Sequence, residues 1–142
     1  MSDALHNALE QQVLNLENLA LMLENELQHI SSRNAELLMA LLNDKSALLE
    51  DIQTLDEKIT PLHRSAIEDG IDESTELLVS KAQTLLDECK YRTQINQKAV
   101  EQGQLRLNHL RNLMMEVRAK ESLTYDKSGK PKGGQLGSGV KA

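Results

Sequence analysis

Residues 5–30 of the chain read LHNALEQQVLNLENLALMLENELQHI, and their spacing decides the fold class. Apolar side chains recur there at steps of three and four residues, which places them on one face of an α-helix. This face contains Leu5, Leu9, Val13, Leu16, Leu19 or Ala20, Leu23, Leu27 and Ile30. Leu14, Leu21 and Met22 widen it. We therefore predict a first helix over about residues 3–31.

The same periodicity predicts a second helix over about residues 34–62. Its apolar face contains Leu38, Leu41 or Leu42, Leu48 or Leu49, Ile52, Leu55 and Ile59, with Lys45 among them. Ser32 or Asn34 is suited to cap its start, because a short polar side chain accepts a hydrogen bond from the first turn. Pro61 lacks a backbone N–H and disfavours helix in the residue before it, so the helix is expected to end nearby.

A third helix is predicted over about residues 72–119, after a loop within residues 68–75. It is apolar at Leu77, Leu78, Ala82, Leu85 and Cys89, polar from residue 90 to residue 104, and apolar again from Leu105. Gly103 is expected to be a weak point, because glycine costs about 1 kcal/mol in a helix interior. Residues 123–142 hold five of the seven glycines, Pro131 and four lysines, a composition typical of a flexible tail.

The composition favours helices packed along their lengths. The chain has 26 Leu, no Trp, no Phe and only two Tyr, so its core lacks the aromatic side chains common in strands. The predicted fold class is all-α, an antiparallel three-helix bundle or coiled-coil-like domain over residues 1–122. It has a long third helix and a disordered C-terminal tail.

Composition also limits the classes of function. No apolar run approaches the roughly 20 residues of a membrane span, and the N-terminus lacks a secretory pattern, so no membrane insertion is expected. The single Cys89 fits a reducing compartment, which predicts a cytoplasmic protein. Residues 1–80 hold 4 Lys/Arg against 16 Asp/Glu, an acidic balance that argues against binding nucleic acid. Residues 81–142 hold 12 against 6, which suggests that the two halves lie antiparallel and neutralise each other.

No catalytic apparatus is found, and neither a cofactor nor a metal is expected. Glu26 and His29 have the spacing of a di-iron bundle motif, but such a site needs two motifs and further carboxylates. A solvated pair on the polar face is the preferred interpretation. Cys89 is interpreted as a buried apolar residue. We expect that the chain is not an enzyme.

The length of the third helix points to a binding surface. At about 1.5 Å per residue, it would outrun its partners by roughly 25 Å. The overhang carries Leu105, Leu107, Leu110, Leu113, Met114 and Val117. These residues either fold back into the core or bind another protein, and the flexible methionine favours binding. Tyr125, beyond the helix, is either incidental or part of a short linear motif.

Several motifs together resemble the FlgN family of flagellar export chaperones, over almost the whole chain. They are the acidic Leu-rich first helix, Leu37-Leu38-x-x-Leu41-Leu42-x-x-Lys45-x-x-Leu48-Leu49, Asn96-Gln97, Leu110-Arg111-x-Leu113, and Leu123-Thr124-Tyr125-Asp126-x-Ser128-Gly129-Lys130. Relatives often have an Asn-Gly shortly after the Asn-Gln, where this chain has Lys98-Ala99.

The resemblance implies a function. Such chaperones bind the C-terminal helical regions of the hook-associated proteins FlgK and FlgL, prevent their aggregation, and deliver them to the export gate protein FlhA. It also implies that the end of the third helix binds the substrate and that Tyr125 contacts the gate. Two alternatives stay open: a scaffolding coiled coil that uses the same residues for self-association, and a chaperone of a related type III secretion system. A homodimer is left open as well.

Overall fold

A computed structural model describes the backbone of residues 2–127 and the side chains of residues 3–122. It contains three α-helices in these residues: α1 (Ser2–Ser31), α2 (Ala35–Asp69) and α3 (Glu73–Lys127). The predicted all-α class and the three helices are confirmed. α3 extends eight residues beyond its predicted end, and the predicted tail from residue 128 onward lies outside the described residues.

The chain divides into two compact units at Ala99 and Val100. The first unit, residues 1–99, contains α1, α2 and the beginning of α3. The second unit begins at Val100, and its described part is the remainder of α3, as far as Lys127.

The three helices of the first unit run up, down and up. α1 and α2 are antiparallel, because Gln12 donates to the carbonyl of Ile52 while a residue further along α1, Glu26, meets Lys45 earlier on α2. α1 and α3 are parallel. The thiol of Cys89 donates to the carbonyl of Leu16, and seven residues further along both helices Asn96 donates to that of Leu23.

This topology corrects one detail of the charge interpretation. Basic side chains of α3 do pair with acidic ones of α1, as Arg92 does with Glu24 at 3.0 Å and Lys81 with Glu17 at 3.9 Å. The two helices that pair in this way run in the same direction. α3 is antiparallel to α2, and the two helices share both clusters, Val79 packing against the one with Ile59 and Ile52 against the one with Cys89.

α1 supplies most of the core. Its predicted apolar face is buried from Leu5 to Leu23, and it packs with both other helices in two clusters. One cluster joins Leu5 and Leu9 to Ile59 of α2, and the other joins Leu19 and Leu23 to Cys89 of α3. α1 thus lies against α2 on one side and α3 on the other.

Some of the predicted core positions are wrong. Leu77 is 65% exposed, whereas Leu78 and Val79 pack against the first cluster. Leu14 and Leu21, which were expected to widen the face of α1, are 54% and 59% exposed. The apolar character of neighbouring leucines does not show which of them is buried. Their burial depends on how the helices pack against one another.

α2 continues through Pro61 to Asp69, seven residues past its predicted end. Proline removes one backbone hydrogen bond, which ordinarily breaks a helix. Here the residues on the inner face before and after it, Ile59, Leu62 and Ala66, all pack into the first cluster. Pro61 itself is exposed, so the burial of these neighbours offsets its cost.

Polar caps fix where α2 and α3 begin. The amide of Leu37 donates to the side chain of Asn34 at 3.1 Å, which confirms one of the two predicted caps. In the same way the amide of Thr75 donates to Asp72 at 3.0 Å. These bonds satisfy amides that have no partner within the first turn of a helix. The intervening Gly70 has a φ of 92°, which only glycine adopts without strain.

Candidate partner-binding site

The leucines and methionines of α3 beyond Gly103 are exposed to solvent. Leu105 is 67% exposed, Leu110 53%, Met114 52% and Val117 53%. Leu107, Leu113 and Met115 are also exposed large apolar residues. A group of apolar side chains this dense on a helix favours burial against a protein partner.

The helical repeat places most of these residues on one face of α3 and the others outside it. At about 100° per residue, Leu107, Leu110, Leu113, Met114 and Val117 fall within an arc of about 120°. We call these five residues the α3 stripe. Leu105 falls about half a turn from Met114, so it lies on the other side of the helix although the sequence grouped it with the others. Met115 also falls outside the arc.

Arginines border the α3 stripe. Arg111 and Arg118, seven residues apart, follow one edge, and Arg106 falls within the arc near its start. Guanidinium groups can hydrogen-bond to carboxylates while their methylene stems cover apolar surface. The stripe is therefore suited to an amphipathic helix with acidic residues beside its apolar face.

The other residue predicted to bind a partner is Tyr125. Its backbone belongs to α3, whereas the prediction placed it in a tail beyond the helix. Its side chain lies outside the described residues, so its role stays a prediction.

A buried polar triad in the first unit joins all three helices. The carboxylate of Glu26 on α1 is 5% exposed and accepts hydrogen bonds from Lys45 of α2 and from Asn96 of α3, both at 2.6 Å. Asn96 also donates to the carbonyl of Leu23 at 2.9 Å. A buried charge is tolerated when it is paired and hydrogen-bonded in this way. The triad fixes the relative positions of the three helices along their axes.

The triad corrects the interpretation of Glu26 and His29 as a solvated pair. Glu26 faces inward, and its carboxylate accepts hydrogen bonds from Lys45 and Asn96. Among the described residues, no group of three or more His, Cys, Asp or Glu is arranged to hold a metal ion.

Cys89 is a buried core residue, as predicted. Its side chain is 3% exposed and its thiol donates to the carbonyl of Leu16 at 3.5 Å. Burial raises the pKa of this thiol, and the nearby carboxylate of Glu88 adds to the effect. The neutral thiol is a poor nucleophile, so the residue serves packing.

A groove of about 600 Å³ lies between α2 and α3 in the first unit. Leu9 and Leu16 of α1, both buried, form its floor. Leu49 and Ile67 of α2 lie on its wall and are 45% and 60% exposed, and Val79 lies on the α3 wall. We call this feature the α2–α3 groove.

Comparison with known proteins assigns the chain to a family. A family model described as FlgN protein matches residues 1–133. The chain belongs to the FlgN protein family. This is a family of flagellar export chaperones. No curated protein and no solved structure matches significantly.

The membership confirms the resemblance seen in the sequence and the chaperone and flagellar-export assignment. The FlgN match covers α1, α2 and the whole of α3, including the α3 stripe. None of the described helices is long and apolar enough to cross a membrane.

Two features of this FlgN-family chain were missed in the sequence. The buried triad was missed because Glu26 is charged and was assigned to a solvated face; Lys45 within an apolar stripe was the available signal. No sequence feature indicated the α2–α3 groove, because the groove exists only if α2 and α3 pack against α1 with a gap between them.

Proposed function

We propose that this FlgN-family chain is a cytoplasmic flagellar export chaperone for the hook-filament junction proteins FlgK and FlgL. It binds their C-terminal helical regions, prevents their premature aggregation and delivers them to the export gate protein FlhA. It acts by binding, without catalysis or a cofactor. Family membership supports the chaperone role, and the exposed α3 stripe is the observation that carries the binding mechanism.

The mechanism is the completion of a small coiled coil. The α3 stripe packs against an apolar face on a substrate helix that would otherwise be exposed in the cytoplasm. Burial contributes roughly 25 cal/mol per Å² of apolar surface, partly offset by ordering of both segments. The bordering Arg111 and Arg118 pair with acidic residues of the substrate and set its orientation. Leu105, outside the stripe, contributes less than the other predicted residues.

Substitution of the stripe tests substrate binding. The double change Leu110→Asp and Met114→Asp should lower the affinity for the C-terminal segments of FlgK and FlgL by at least about 100-fold, because two carboxylates would enter an apolar contact. The measurement is isothermal titration calorimetry with the purified segments. Helix content by circular dichroism should hardly change, because both residues are exposed.

The matched control is Leu14→Asp with Leu21→Asp. These leucines have similar exposure and lie on a different helix, α1. Their replacement should leave the affinity within about twofold. Undiminished binding by the Leu110 and Met114 variant would show that the substrate binds elsewhere.

Replacement of Tyr125 tests the separate contact with the gate. Tyr125→Ala should leave the affinity for FlgK and FlgL unchanged and weaken the binding of the loaded chaperone to FlhA by about 10-fold or more, because an aromatic anchor is lost. Binding of the preformed complex to immobilised FlhA measures both. Loss of substrate binding in this variant would contradict the division of roles.

A further inference from the structure

We infer that Arg106 selects substrate helices that carry a carboxylate within their apolar face. This inference rests on the proposed function and names a side chain that the α3 stripe requires of its partner. By the helical repeat, Arg106 falls in angle between Leu113 and Val117, inside the arc of the stripe. Arg111 and Arg118, by contrast, follow its edge. A helix that packs on the stripe therefore covers the guanidinium of Arg106.

The first unit shows how α3 treats an arginine at a helix contact. One row of buried and half-buried residues recurs there at the heptad steps of three and four. Arg92 belongs to this row, and its guanidinium pairs with the carboxylate of Glu24 on α1 at 3.0 Å and with Glu88 of its own helix at 3.2 Å. The facing helix thus supplies a carboxylate. The row contains Thr75, Leu78, Ala82, Leu85, Cys89, Arg92, Asn96 and Ala99.

Arg106 has the same position in the repeat, two heptads after Arg92, and the same steps lead from it into the stripe. Unlike Arg92, it has no acidic residue three or four positions away on its own helix. No ion pair within residues 3–122 involves it. Its carboxylate therefore has to come from the partner. The neighbouring positions hold Gln102, Gly103, His109 and Leu110.

A guanidinium that is covered by another helix needs such a partner. An unpaired charge loses its hydration without compensation, whereas a carboxylate that accepts two N–H bonds from a guanidinium offsets that loss. Arg106 therefore penalises helices that are apolar throughout and favours helices with Asp or Glu at the facing position. The leucines and the methionine of the stripe do not make this distinction, because they can pack against any apolar face.

The sign of one substitution tests the inference. Arg106→Leu makes the stripe more apolar, so it should strengthen binding if the partner has no carboxylate at this position. If a carboxylate faces Arg106, the change leaves that carboxylate covered and unpaired. We therefore expect the affinity for the C-terminal segments of FlgK and FlgL, measured by isothermal titration calorimetry, to fall by about 10-fold or more.

Two further variants control for size and charge. Asn108→Leu adds a leucine on the opposite side of the helix and should leave the affinity within about twofold. Arg106→Lys keeps the charge but not the two-pronged hydrogen bonding, so it should lose less affinity than Arg106→Leu. Both positions are exposed, so helix content by circular dichroism should hardly change.

A double-mutant cycle locates the carboxylate on the substrate. Each Asp or Glu of the segment is changed in turn to Asn or Gln and titrated against the wild-type chain and against Arg106→Leu. One of these changes should weaken binding to the wild-type chain and not to the variant.

The outcomes separate this inference from the proposed function. An Arg106→Leu variant that binds as tightly as wild type or more tightly would overturn the inference, as would a cycle in which no acidic residue depends on Arg106. Either result would leave the chaperone role standing. A wild-type chain that binds neither segment would instead remove the proposed function, and this inference with it.

Discussion

At the scale of single residues, the buried carboxylate of Glu26 defines how the first unit is aligned. Lys45 and Asn96 bind it from two different helices. A shift of α2 by one turn would separate the charges of Glu26 and Lys45, and a shift of α3 would remove the hydrogen bond from Asn96. Breaking these contacts costs more free energy than exchanging one leucine contact for another, because a buried polar group without a partner has lost its hydration and gained nothing in return. The triad therefore selects one register among several that the leucines alone would allow.

We expect Asn96→Ala to lower the free energy of unfolding by about 1–3 kcal/mol, because the change leaves Glu26 with one donor fewer in a buried site. Urea unfolding followed by circular dichroism measures the change. The neighbouring Gln97→Ala, at an exposed position of the same helix, is the control and should stay within about 0.5 kcal/mol of wild type. Alanine favours helix more than asparagine or glutamine does, so helix propensity cannot cause a loss. Equal stabilities of the two variants would contradict the role of the triad.

Residues with a local signature were predictable from the sequence. Asn34 was a candidate cap because it precedes an apolar repeat, and Cys89 was placed in the core by its position in another repeat. Glu26 was not predictable in this way. Its burial depends on hydrogen-bond donors that lie 19 and 70 residues away, and the residues next to it in the sequence do not indicate them.

At the scale of the helices, α3 depends on a cap that titrates. The side chain of Asp72 accepts hydrogen bonds from Thr75, and these bonds lower the pKa of its carboxyl below the ordinary value. A lowered pKa in the folded state means that the stabilisation is present above the pKa of the unfolded chain, about 4 for Asp. The stabilisation is lost as the pH falls through the folded-state pKa.

Asp72→Ala should therefore lower the urea midpoint at pH 7 and have a progressively smaller effect below about pH 4, as the pH falls through the lowered folded-state pKa of wild-type Asp72. Urea unfolding at several pH values measures the difference. Asp72→Asn is the matched control, because asparagine is as good a cap but does not titrate. A difference between wild type and Asp72→Ala that does not change with pH would contradict the assignment of this cap.

The helix ends show where prediction from local sequence fails. α1 was predicted to within one residue, because a clear turn follows it. α2 was predicted too short, because the local cost of Pro61 was not weighed against the packing of Leu62 and Ala66 beyond it. α3 was also predicted too short, because its C-terminal residues have little apolar character to mark them as helical.

At the scale of the whole molecule, opposite charges are separated along the chain. α1 and α2 are strongly acidic, and the arginines that border the α3 stripe belong to a basic C-terminal half. In the first unit a few of these charges meet, as in the pair of Arg92 with Glu24. Beyond the first unit, Arg111 and Arg118 beside the α3 stripe are the basic charges that the proposed substrate contact uses.

The proposed binding of an acidic substrate helix beside these arginines should weaken with salt. The screening length falls from about 10 Å at 0.1 M to about 3 Å at 1 M ionic strength, which reduces the attraction between exposed charges. We expect the dissociation constant of the complex with the FlgK or FlgL segment, measured by isothermal titration calorimetry, to rise several-fold over this range. A constant that falls with salt would indicate that apolar burial alone drives the association.

Sequence predicted much of the architecture at this scale and little of the groove. Three apolar repeats separated by two turns lead to three helices packed side by side, and this was confirmed. The groove arises from the separation of α2 and α3 above Leu9 and Leu16, which depends on three-dimensional packing. For the stripe, helical spacing predicted a shared face for five residues, and only Leu105 was misplaced on it.

The parallel pairing of α1 with α3 has a consequence for synthesis of the chain. Leu16 and Cys89, which contact each other, are 73 residues apart. At a rate of roughly 5–20 residues per second, the ribosome delivers Cys89 about 4–15 s after Leu16, whereas a helix forms in about a microsecond. The most apolar helix of the nascent protein therefore waits for seconds with only α2 as a partner. Until α3 emerges, the part of the apolar face of α1 that α3 covers in the folded chain stays uncovered.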